Sequence, residues 1–359
     1  MKLIQFSAVA LAIGFSAHAS AAASPHYKIT DLGLSADFRP VKINDARDIA
    51  GILFTTDAQG NLFNHAALYS AGQLKDLGTL GGGNSTPTGL NNLGQVVGSA
   101  ENPSSYRPFV NKGGTTQDLG GNYAYARGIN QSGQIVGDFT TQNGEPSRSY
   151  VLSSQGQATD IGNLGGTDGT SALDINDAGA VTGSSFNSAG QQRAFIYQNG
   201  TMSDLGALAW QAGSGLPEYS VGYGINNAGQ VIGVSSGKAF LYSGGQMTAL
   251  VDGGNPVDIN DVGQVIGSYG DLRGNIHYFL YGKDGLVDLQ EQLGASYADW
   301  ILSDIVSINN AGEMLGLAVH NQEYRTVLLT AVPEPTTVGL VLAGMMLVSV
   351  KRKKTRQAH

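Results

Sequence analysis

One internal repeat dominates the chain. The pattern Ile/Leu-Asn-x-x-Gly-x-apolar-x-Gly occurs seven times, and successive Asn residues are 47, 39, 46, 50, 34 and 49 residues apart. A period of this size is typical of one supersecondary unit per repeat with connecting loops of variable length. The seven repeated residues are Asn44, Asn91, Asn130, Asn176, Asn226, Asn260 and Asn309. The repeat therefore constrains the fold more strongly than any single motif does.

The Asn-x-x-Gly core of the repeat predicts a hairpin turn. Asn is favoured at the first position of a type I turn and Gly at the fourth. Six repeats have this Gly, whereas the first repeat has Arg47 in its place. Because the fourth position is expected to need a left-handed backbone, Arg47 should be strained by about 1 kcal/mol.

The rest of each repeat predicts three further strands. A short β-branched segment such as Gln95-Val96-Val97-Gly98 follows the turn, and an aromatic-aliphatic segment such as Ala194-Phe195-Ile196-Tyr197 comes next. A final segment ends in Asp-Leu-Gly or a variant of it. Four short antiparallel strands in about 44 residues are typical of one β-propeller blade. The Asp residues of the last segment recur once per repeat, which favours a structural role: Asp76, Asp118, Asp160, Asp204 and Asp288.

The seventh repeat lacks its own fourth strand, since it ends near Thr330. The segment Tyr27 to Gly33 carries an Asp-Leu-Gly ending with no strands before it. Pairing this segment with the last repeat would close a ring and remove exposed sheet edges. The sequence therefore predicts an all-β, seven-bladed propeller of four-stranded blades closed by the N-terminal strand, with an open β-solenoid as the alternative.

The N-terminus has the features of a secretory signal peptide over residues 1–23. Lys2 precedes an apolar run from Leu3 to Phe15, and small residues follow it. The small-x-small pattern allows cleavage after Ala19 or after Ala23. The apolar run is short for a permanent membrane anchor, which is the other interpretation.

The C-terminus, residues 332–359, predicts a membrane-targeting tail. The motif Val332, Pro333, Glu334, Pro335 precedes an apolar stretch and a basic cluster from Lys351 to Arg356. Counted from Thr336, the apolar segment would form a helix about 22 Å long, which is short of a bilayer core of about 30 Å. Because flanking Lys and Arg stay cytoplasmic, the preceding residues are expected on the other side of the membrane.

This tail closely resembles the PEP-CTERM sorting signal, which consists of a Pro-Glu-Pro motif, a transmembrane helix and a terminal basic cluster. The resemblance covers about the last 28 residues. It implies a Gram-negative host, a transient anchor in the inner membrane with the body in the periplasm, and processing by an exosortase, often in species that make exopolysaccharide. A tail-anchored protein with a coincidental Pro-Glu-Pro is the alternative.

The repeats between residues 24 and 331 resemble the bacterial HAF repeat, in which an Ala-Phe strand leads through Asp-Leu-Gly and Leu-Gly-Gly to an Ile-Asn turn. The match is clear at Asp76 to Gly82, Asp160 to Gly166 and Arg193 to Tyr197. It fails at Arg47 and around Ala249 to Gly254. The resemblance implies an extracellular repeat protein and brings no catalytic residues.

Charge and chemistry narrow the function classes. Residues 24–332 hold 14 Lys and Arg against 27 Asp and Glu, a net charge of −13, which disfavours nucleic acid as a partner. Cysteine is absent and the histidines are scattered, so no metal or cofactor is expected. The segment Gly233 to Gly237 matches G-x-S-x-G but joins two predicted strands, so a hairpin turn is expected there instead of a nucleophile elbow.

These features predict that the protein is not an enzyme. They favour a binding or structural module of the cell surface or extracellular matrix, with exopolysaccharide or surface proteins as partners. Amphipathic aromatic residues are the candidates for contact, although a packing role is favoured for each of them: Trp210, Tyr219, Tyr223 and Trp300. The alternative function is a propeller enzyme acting on polysaccharide, which would require acidic residues to converge on the mouth of the ring.

Overall fold

The computed structural model describes residues 26–121, 123–139, 145–210 and 217–332. These residues form 28 strands and one short 3₁₀ helix at Ala295–Tyr297, and the strands make seven four-stranded antiparallel sheets. The prediction of an all-β, seven-bladed propeller is confirmed. The predicted signal peptide, the residues Pro333, Glu334 and Pro335, and the predicted C-terminal helix all lie outside the described residues.

The first four blades follow one another along the chain, and each uses four consecutive strands. They are β2 (Phe38–Ile43), β3 (Ile49–Thr56), β4 (Leu62–Ser70) and β5 (Gln73–Asp76); β6 (Ser85–Leu90), β7 (Val96–Glu101), β8 (Tyr106–Lys112) and β9 (Thr115–Asp118); β10 (Tyr123–Ile129), β11 (Ile135–Phe139), β12 (Ser149–Leu152) and β13 (Ala158–Asp160); and β14 (Gly165–Ile175), β15 (Val181–Asn187), β16 (Gln192–Gln198) and β17 (Thr201–Asp204).

The last three blades complete the ring, and the seventh takes its fourth strand from the N-terminus. They are β18 (Ser220–Ile225), β19 (Val231–Ser235), β20 (Lys238–Ser243) and β21 (Gln246–Asp252); β22 (Gly254–Ile259), β23 (Val265–Gly270), β24 (Ile276–Gly282) and β25 (Gly285–Asp288); and β26 (Ile301–Ile308), β27 (Met314–His320) and β28 (Glu323–Ala331) with β1 (Tyr27–Asp31).

Strand β1 closes the ring as predicted. It pairs antiparallel with β28 from Tyr27 opposite Ala331 to Asp31 opposite Val327. Tyr27 and Ile29 are buried in the core of blade 7, and the burial of their apolar surface stabilises the pairing of this short strand. The open solenoid is therefore wrong.

The ring has two distinct faces. The turns from first to second strands and from third to fourth strands lie on one side, here the turn face. The connections from second to third strands and from one blade to the next lie on the opposite side, the loop face. Because β28 ends where β1 begins, both ends of the described chain leave from the turn face, and Val332 N donates to His26 O at 2.8 Å.

The last Gly of the repeat pattern allows close strand packing. Each first strand has a β-bulge, seen as a register shift such as Pro87/Gly89 or Ala126/Gly128. The repeat Gly lies opposite this bulge, where a Cβ atom would collide with a backbone oxygen of the first strand, as at Gly98 and Gly137. The bulges determine which side chains point to the centre of the ring.

Candidate functional site

The seven repeated Asn residues form a closed ring of hydrogen bonds at the turn face. Each is at most 6% exposed, and each side-chain Nδ2 donates to the backbone oxygen of the next Asn in the ring. Six of these distances are 3.0 or 3.1 Å, and the bond from Asn309 to Asn44 that closes the ring is 3.4 Å. The Asn residues thus make the predicted turns and also connect every blade to its neighbour.

A second ring lies beside the first on the exposed surface. The backbone N–H of each residue after the repeated Asn donates to the side-chain oxygen of the equivalent residue in the next blade, at 2.8 to 3.0 Å. Its members are Asp45, Asn92, Gln131, Asp177, Asn227, Asp261 and Asn310. The backbone N–H groups and side-chain oxygens of these seven residues are therefore hydrogen-bonded to one another around the ring.

The central channel is lined by the bulge residues of all seven first strands and encloses a cavity of about 210 Å³. The residue two positions before the repeated Asn lines this cavity in six blades, and in blade 7 it is completely buried and hydrogen-bonded to Asp258, which lines the cavity. These residues are Lys42, Gly89, Gly128, Asp174, Gly224, Asp258 and Ser307. Four of these positions have polar side chains and three have glycine, so only part of the ring offers functional groups.

One side of the channel holds a hydrogen-bonded charged cluster. Lys42 Nζ lies 2.7 Å from Asp258 Oδ1, and Ser307 Oγ donates to Asp258 Oδ2 at 2.7 Å. Burial opposes the charge of Lys42, but the carboxylates of Asp258 and Asp174 outweigh it and raise its pKa. Ile308 N also donates to Asp258 at 2.9 Å, so both oxygens of this carboxylate accept hydrogen bonds.

Asp174 faces the channel from blade 4 with fewer partners. Its carboxyl accepts the backbone N–H groups of Ile175 and Ile225, both at 2.9 Å, and no side chain in the described part of the chain donates to it. Burial raises the pKa of the Asp174 carboxyl to about 6, although the charge of Lys42 acts in the opposite direction. Asp174 is therefore a titratable group near neutral pH inside the ring.

Two acidic residues thus converge on the channel, as the enzyme alternative requires. Each accepts hydrogen bonds from the next blade, Asp174 from Ile225 and Asp258 from Ile308. These contacts give both carboxylates a structural function. Within the described ranges, no group of three or more His, Cys, Asp or Glu is arranged to hold a metal ion.

The Asp residues of the Asp-Leu-Gly segments have the predicted structural role. In each case Oδ1 accepts the N–H two residues later, for example Gly78 from Asp76 at 2.7 Å and Gly206 from Asp204 at 2.7 Å. Blade 6, which has Gln290 in place of the Gly, keeps the bond between Gln290 N and Asp288. Asp31 makes the same bond to Gly33, which supports the assignment of β1 as a fourth strand.

A basic residue lies in the first half of each third strand or directly before it, a regularity that was not predicted from the sequence. The seven are His65, Arg107, Arg148, Arg193, Lys238, His277 and Arg325. Most of them contact the Asp of the fourth strand, as in His65 Nδ1 to Asp76 Oδ2 at 2.7 Å and His277 Nδ1 to Asp288 Oδ2 at 2.6 Å. Hydrogen bonds from the His277 ring to the carboxylates of Asp288 and Asp271 raise the pKa of His277.

The four aromatic candidates are dispersed over the molecule. Trp210 packs near Tyr219 on the loop face and donates from Nε1 to Pro217 O, whereas Tyr223 lines the channel. Trp300 stacks on His320 with ring centroids 4.1 Å apart. The structure does not bring these residues together into one site.

The loop face has a larger cavity between blades 7 and 1, here the seam groove. Its volume is about 510 Å³, and it is lined by the β1–β2 loop and by the start of β28. Phe38 is buried at the groove, Phe54 is half-buried, and Tyr324 is 63% exposed. Arg39, Glu323 and Arg325 supply the charged groups.

The G-x-S-x-G match is a strand-hairpin segment, as predicted. Ser235 ends β19 and is completely buried. Its Oγ donates to Tyr219 O and accepts from Leu208 N, both at 2.8 Å. It is therefore not available as a nucleophile.

Of the predicted sorting motif, only Val332 lies in the described part of the chain. It is 44% exposed and follows β28 directly. No helix within the described residues is long and apolar enough to span a membrane.

Comparisons with known proteins identify the fold. No family model matches the chain, and no curated protein matches it. The β-propeller domain of the trilobed protease from Pyrococcus furiosus, described as having an open Velcro topology, aligns with a TM-score of 0.54 at 10% identity over 83% of this chain and 98% of that domain. Unlike an open arrangement, this chain closes its last blade with β1.

A peptidase gives a second likeness. The acylaminoacyl peptidase from Pyrococcus horikoshii aligns with a TM-score of 0.54 at 8% identity, over 80% of this chain and 52% of that protein. The chain thus spans about half the length of that enzyme. The prediction that the protein is not an enzyme is therefore wrong: propellers of this kind occur within peptidases, and the fold gives no ground for excluding enzymatic function.

Proposed function

We propose that the chain is an exported propeller that acts as a binding module at the cell surface or in the extracellular matrix. The observation that carries this proposal is the position of the two chain ends, which leave together from the turn face at His26 and Val332. A tether on that side would leave the loop face, with its seam groove, directed away from the membrane. Exopolysaccharide and surface proteins are the proposed partners.

We further propose that the tail is processed by an exosortase after transient anchoring in the inner membrane. The Pro-Glu-Pro motif and the basic cluster from Lys351 to Arg356 support this, together with the signal-peptide pattern of residues 1–23. Mass spectrometry of the mature surface protein tests it: peptides after residue 336 should be absent. Recovery of intact peptides from residues 345–359 would leave simple anchoring as the explanation.

The binding proposal is tested by pull-down of the folded protein against the exopolysaccharide and the surface proteins of the producing organism. Specific retention of either class supports a binding module. Retention of neither, by protein with an unchanged thermal melt, would rule it out.

An enzyme acting on polysaccharide is the second candidate function. Asp174 favours it, because a buried carboxyl with a pKa of about 6 is a suitable general acid. Release of reducing sugar ends from exopolysaccharide, abolished in Asp174→Asn, would support catalysis. Equal release by the variant would exclude Asp174.

A further inference from the structure

The seam groove combines aromatic surface with both donors and acceptors of hydrogen bonds. We propose that it binds an uncharged oligosaccharide, a segment of the polymer that the protein is proposed to contact. This inference rests on the proposed binding function. It assigns that function to one site and to one chemical class of ligand.

Aromatic side chains give the groove its apolar surface. Tyr324 is 63% exposed at the mouth, Phe54 is half-buried in the wall, and Phe38 is 2% exposed at the base. The C–H face of a sugar ring packs against such rings, whereas its hydroxyl groups need polar partners. A cavity of about 510 Å³ lies within the size range of small-ligand sites.

The two arginines of the groove can donate hydrogen bonds to the hydroxyl groups of a ligand. The Arg39 side chain is 60% exposed, and its nearest carboxylate, that of Asp304, is 4.0 Å away. Arg325 contacts Glu323, and its Nε is 3.9 Å from Asp31, whereas the equivalent pair in blade 1, His65 and Asp76, is 2.7 Å apart. Blade 7 has thus loosened the repeated basic–acidic pair and directs its arginine towards a groove residue.

The charge of the groove and of the whole propeller disfavours binding of an acidic polymer. Two arginines line the groove with one glutamate, and Asp31 and Asp304 lie beside these arginines, so three carboxylates accompany two guanidinium groups. The chain between residues 24 and 332 has a net charge of −13, which adds long-range repulsion for a polyanion. Hydroxyl groups both donate and accept hydrogen bonds, so they match a groove that has arginine donors and carboxylate acceptors.

The test uses the full chain purified in detergent and the soluble fragments of the producing organism's exopolysaccharide, separated into uncharged and acidic fractions. Binding is measured by isothermal titration. Tyr324→Ala should weaken binding of the uncharged fraction about tenfold, as expected for loss of an aromatic anchor. Arg39→Ala should weaken it less, because the exposed guanidinium exchanges hydrogen bonds to water for hydrogen bonds to the ligand, with little net gain.

Tyr106→Ala is the matched control. Tyr106 holds the same place in blade 2 that Tyr324 holds in blade 7, directly before the basic residue, and it is 52% exposed. It lines neither the seam groove nor the channel cavity. Its replacement should leave binding unchanged.

Three outcomes would overturn the assignment: preference for the acidic fraction, equal weakening by Tyr106→Ala and Tyr324→Ala, or retention of surface proteins with no polysaccharide bound. If whole exopolysaccharide binds equally to all variants, the binding function stands and the groove is the wrong site. If no polysaccharide or surface protein binds, both proposals fail.

Discussion

The interface between blades 2 and 3 and the seam between blades 7 and 1 use the same positions differently. Between blades 2 and 3, Gln95 lies beside the turn of Gly133, and both are uncharged. At the seam the equivalent residues are Glu313 and Arg47, which form an ion pair with a shortest distance of 2.6 Å. Charge is thus placed where the two ends of the chain must be held together without a covalent link.

The channel shows the same contrast. Blades 2 and 3 have Gly89 and Gly128 at the position two residues before the repeated Asn, so their link at the channel comes from the preceding residue, Thr88, whose Oγ1 donates to Ala126 O at 2.9 Å. At the seam Ser307 Oγ accepts Ile43 N at 3.3 Å. The seam therefore has one polar bond at the channel, in a ring whose Asn contact is slightly longer there.

Removal of β1 should have the largest effect. Deleting residues 26–32 removes the pairing with β28 and exposes an edge next to Val327 and Leu329, so we expect aggregation or a fall in Tm of about 10 °C or more. Lys28→Ser with Thr30→Ser is the control, because both side chains are exposed and the strand is kept. A deletion variant that melts like the intact chain and stays monomeric would mean that closure contributes little.

Changing the Asn ring should have the next largest effect. Asn130→Asp removes the donor to Asn176 O and should cost about 2 kcal/mol in urea unfolding. Asn309→Asp should cost more, about 4 kcal/mol, because Nδ2 of Asn309 donates to the Glu313 carboxylate at 2.9 Å where Asn130 has the neutral Gln134, so the new carboxylate would face another carboxylate. Equal losses at the two positions would show that the seam is no different from other interfaces.

The seven-fold count, the strand order and the closure were predictable because each depends on periodicity and on a strand missing from one repeat. The Asn ring was not, since turn preference already explains Asn locally. One signal was available: Asp and Ser also suit the first turn position, yet all seven repeats have Asn, the residue with an Nδ2 donor.

The channel residues were harder to predict, because a bulge shifts the alternation of each first strand and hides which residue points inwards. The seam groove was not predictable either. It combines Arg39 with Tyr324, residues almost 300 positions apart that meet only when the ring closes.

Arg47→Gly tests the ion pair at the seam and should change the free energy of unfolding less than the Asn substitutions do. Arg47 has φ of 64°, as expected from its turn position, so Gly relieves about 1 kcal/mol of strain. The sequence alone would predict a more stable protein. The structure adds a cost, because the variant leaves Glu313 without its ion pair, worth about 1 kcal/mol for a partner as exposed as Arg47. The two effects should nearly cancel at pH 7.

The pH dependence separates these effects. Arg47 lowers the pKa of Glu313 from its ordinary 4.5, so the ion pair stabilises the fold above that pH and is lost as the pH falls through the lowered value. Arg47→Gly should therefore become stabilising in denaturant melts near pH 3. Gly133→Arg, at φ of 77° with Gln95 nearby, should be destabilising by about 1 kcal/mol at both pH values. A pH-independent effect of Arg47→Gly would exclude the ion pair as a source of stability.

The smallest expected effect concerns the two sides of the channel. Asp258 is hydrogen-bonded to Lys42 near the seam, whereas Asp174, in blade 4, accepts only backbone N–H groups within the described part of the chain. Burial raises the pKa of the Asp174 carboxyl to about 6 from an ordinary 3.8. Because the folded state favours the protonated form, the stabilising contribution of Asp174 is complete below pH 3.8 and is lost as the pH rises through 6.

Lys42 is the group through which the two sides of the channel interact. Its positive charge lowers the pKa of Asp174, so Lys42→Met should raise that pKa above 6 in a carboxyl-carbon NMR titration. Lys28→Met, at an exposed position of β1, should leave it unchanged. An Asp174 that titrates near 4 in the unmodified protein would mean that channel water solvates its carboxylate. A shift of equal size in Lys28→Met would show that net charge, and not the proximity of Lys42, sets the value.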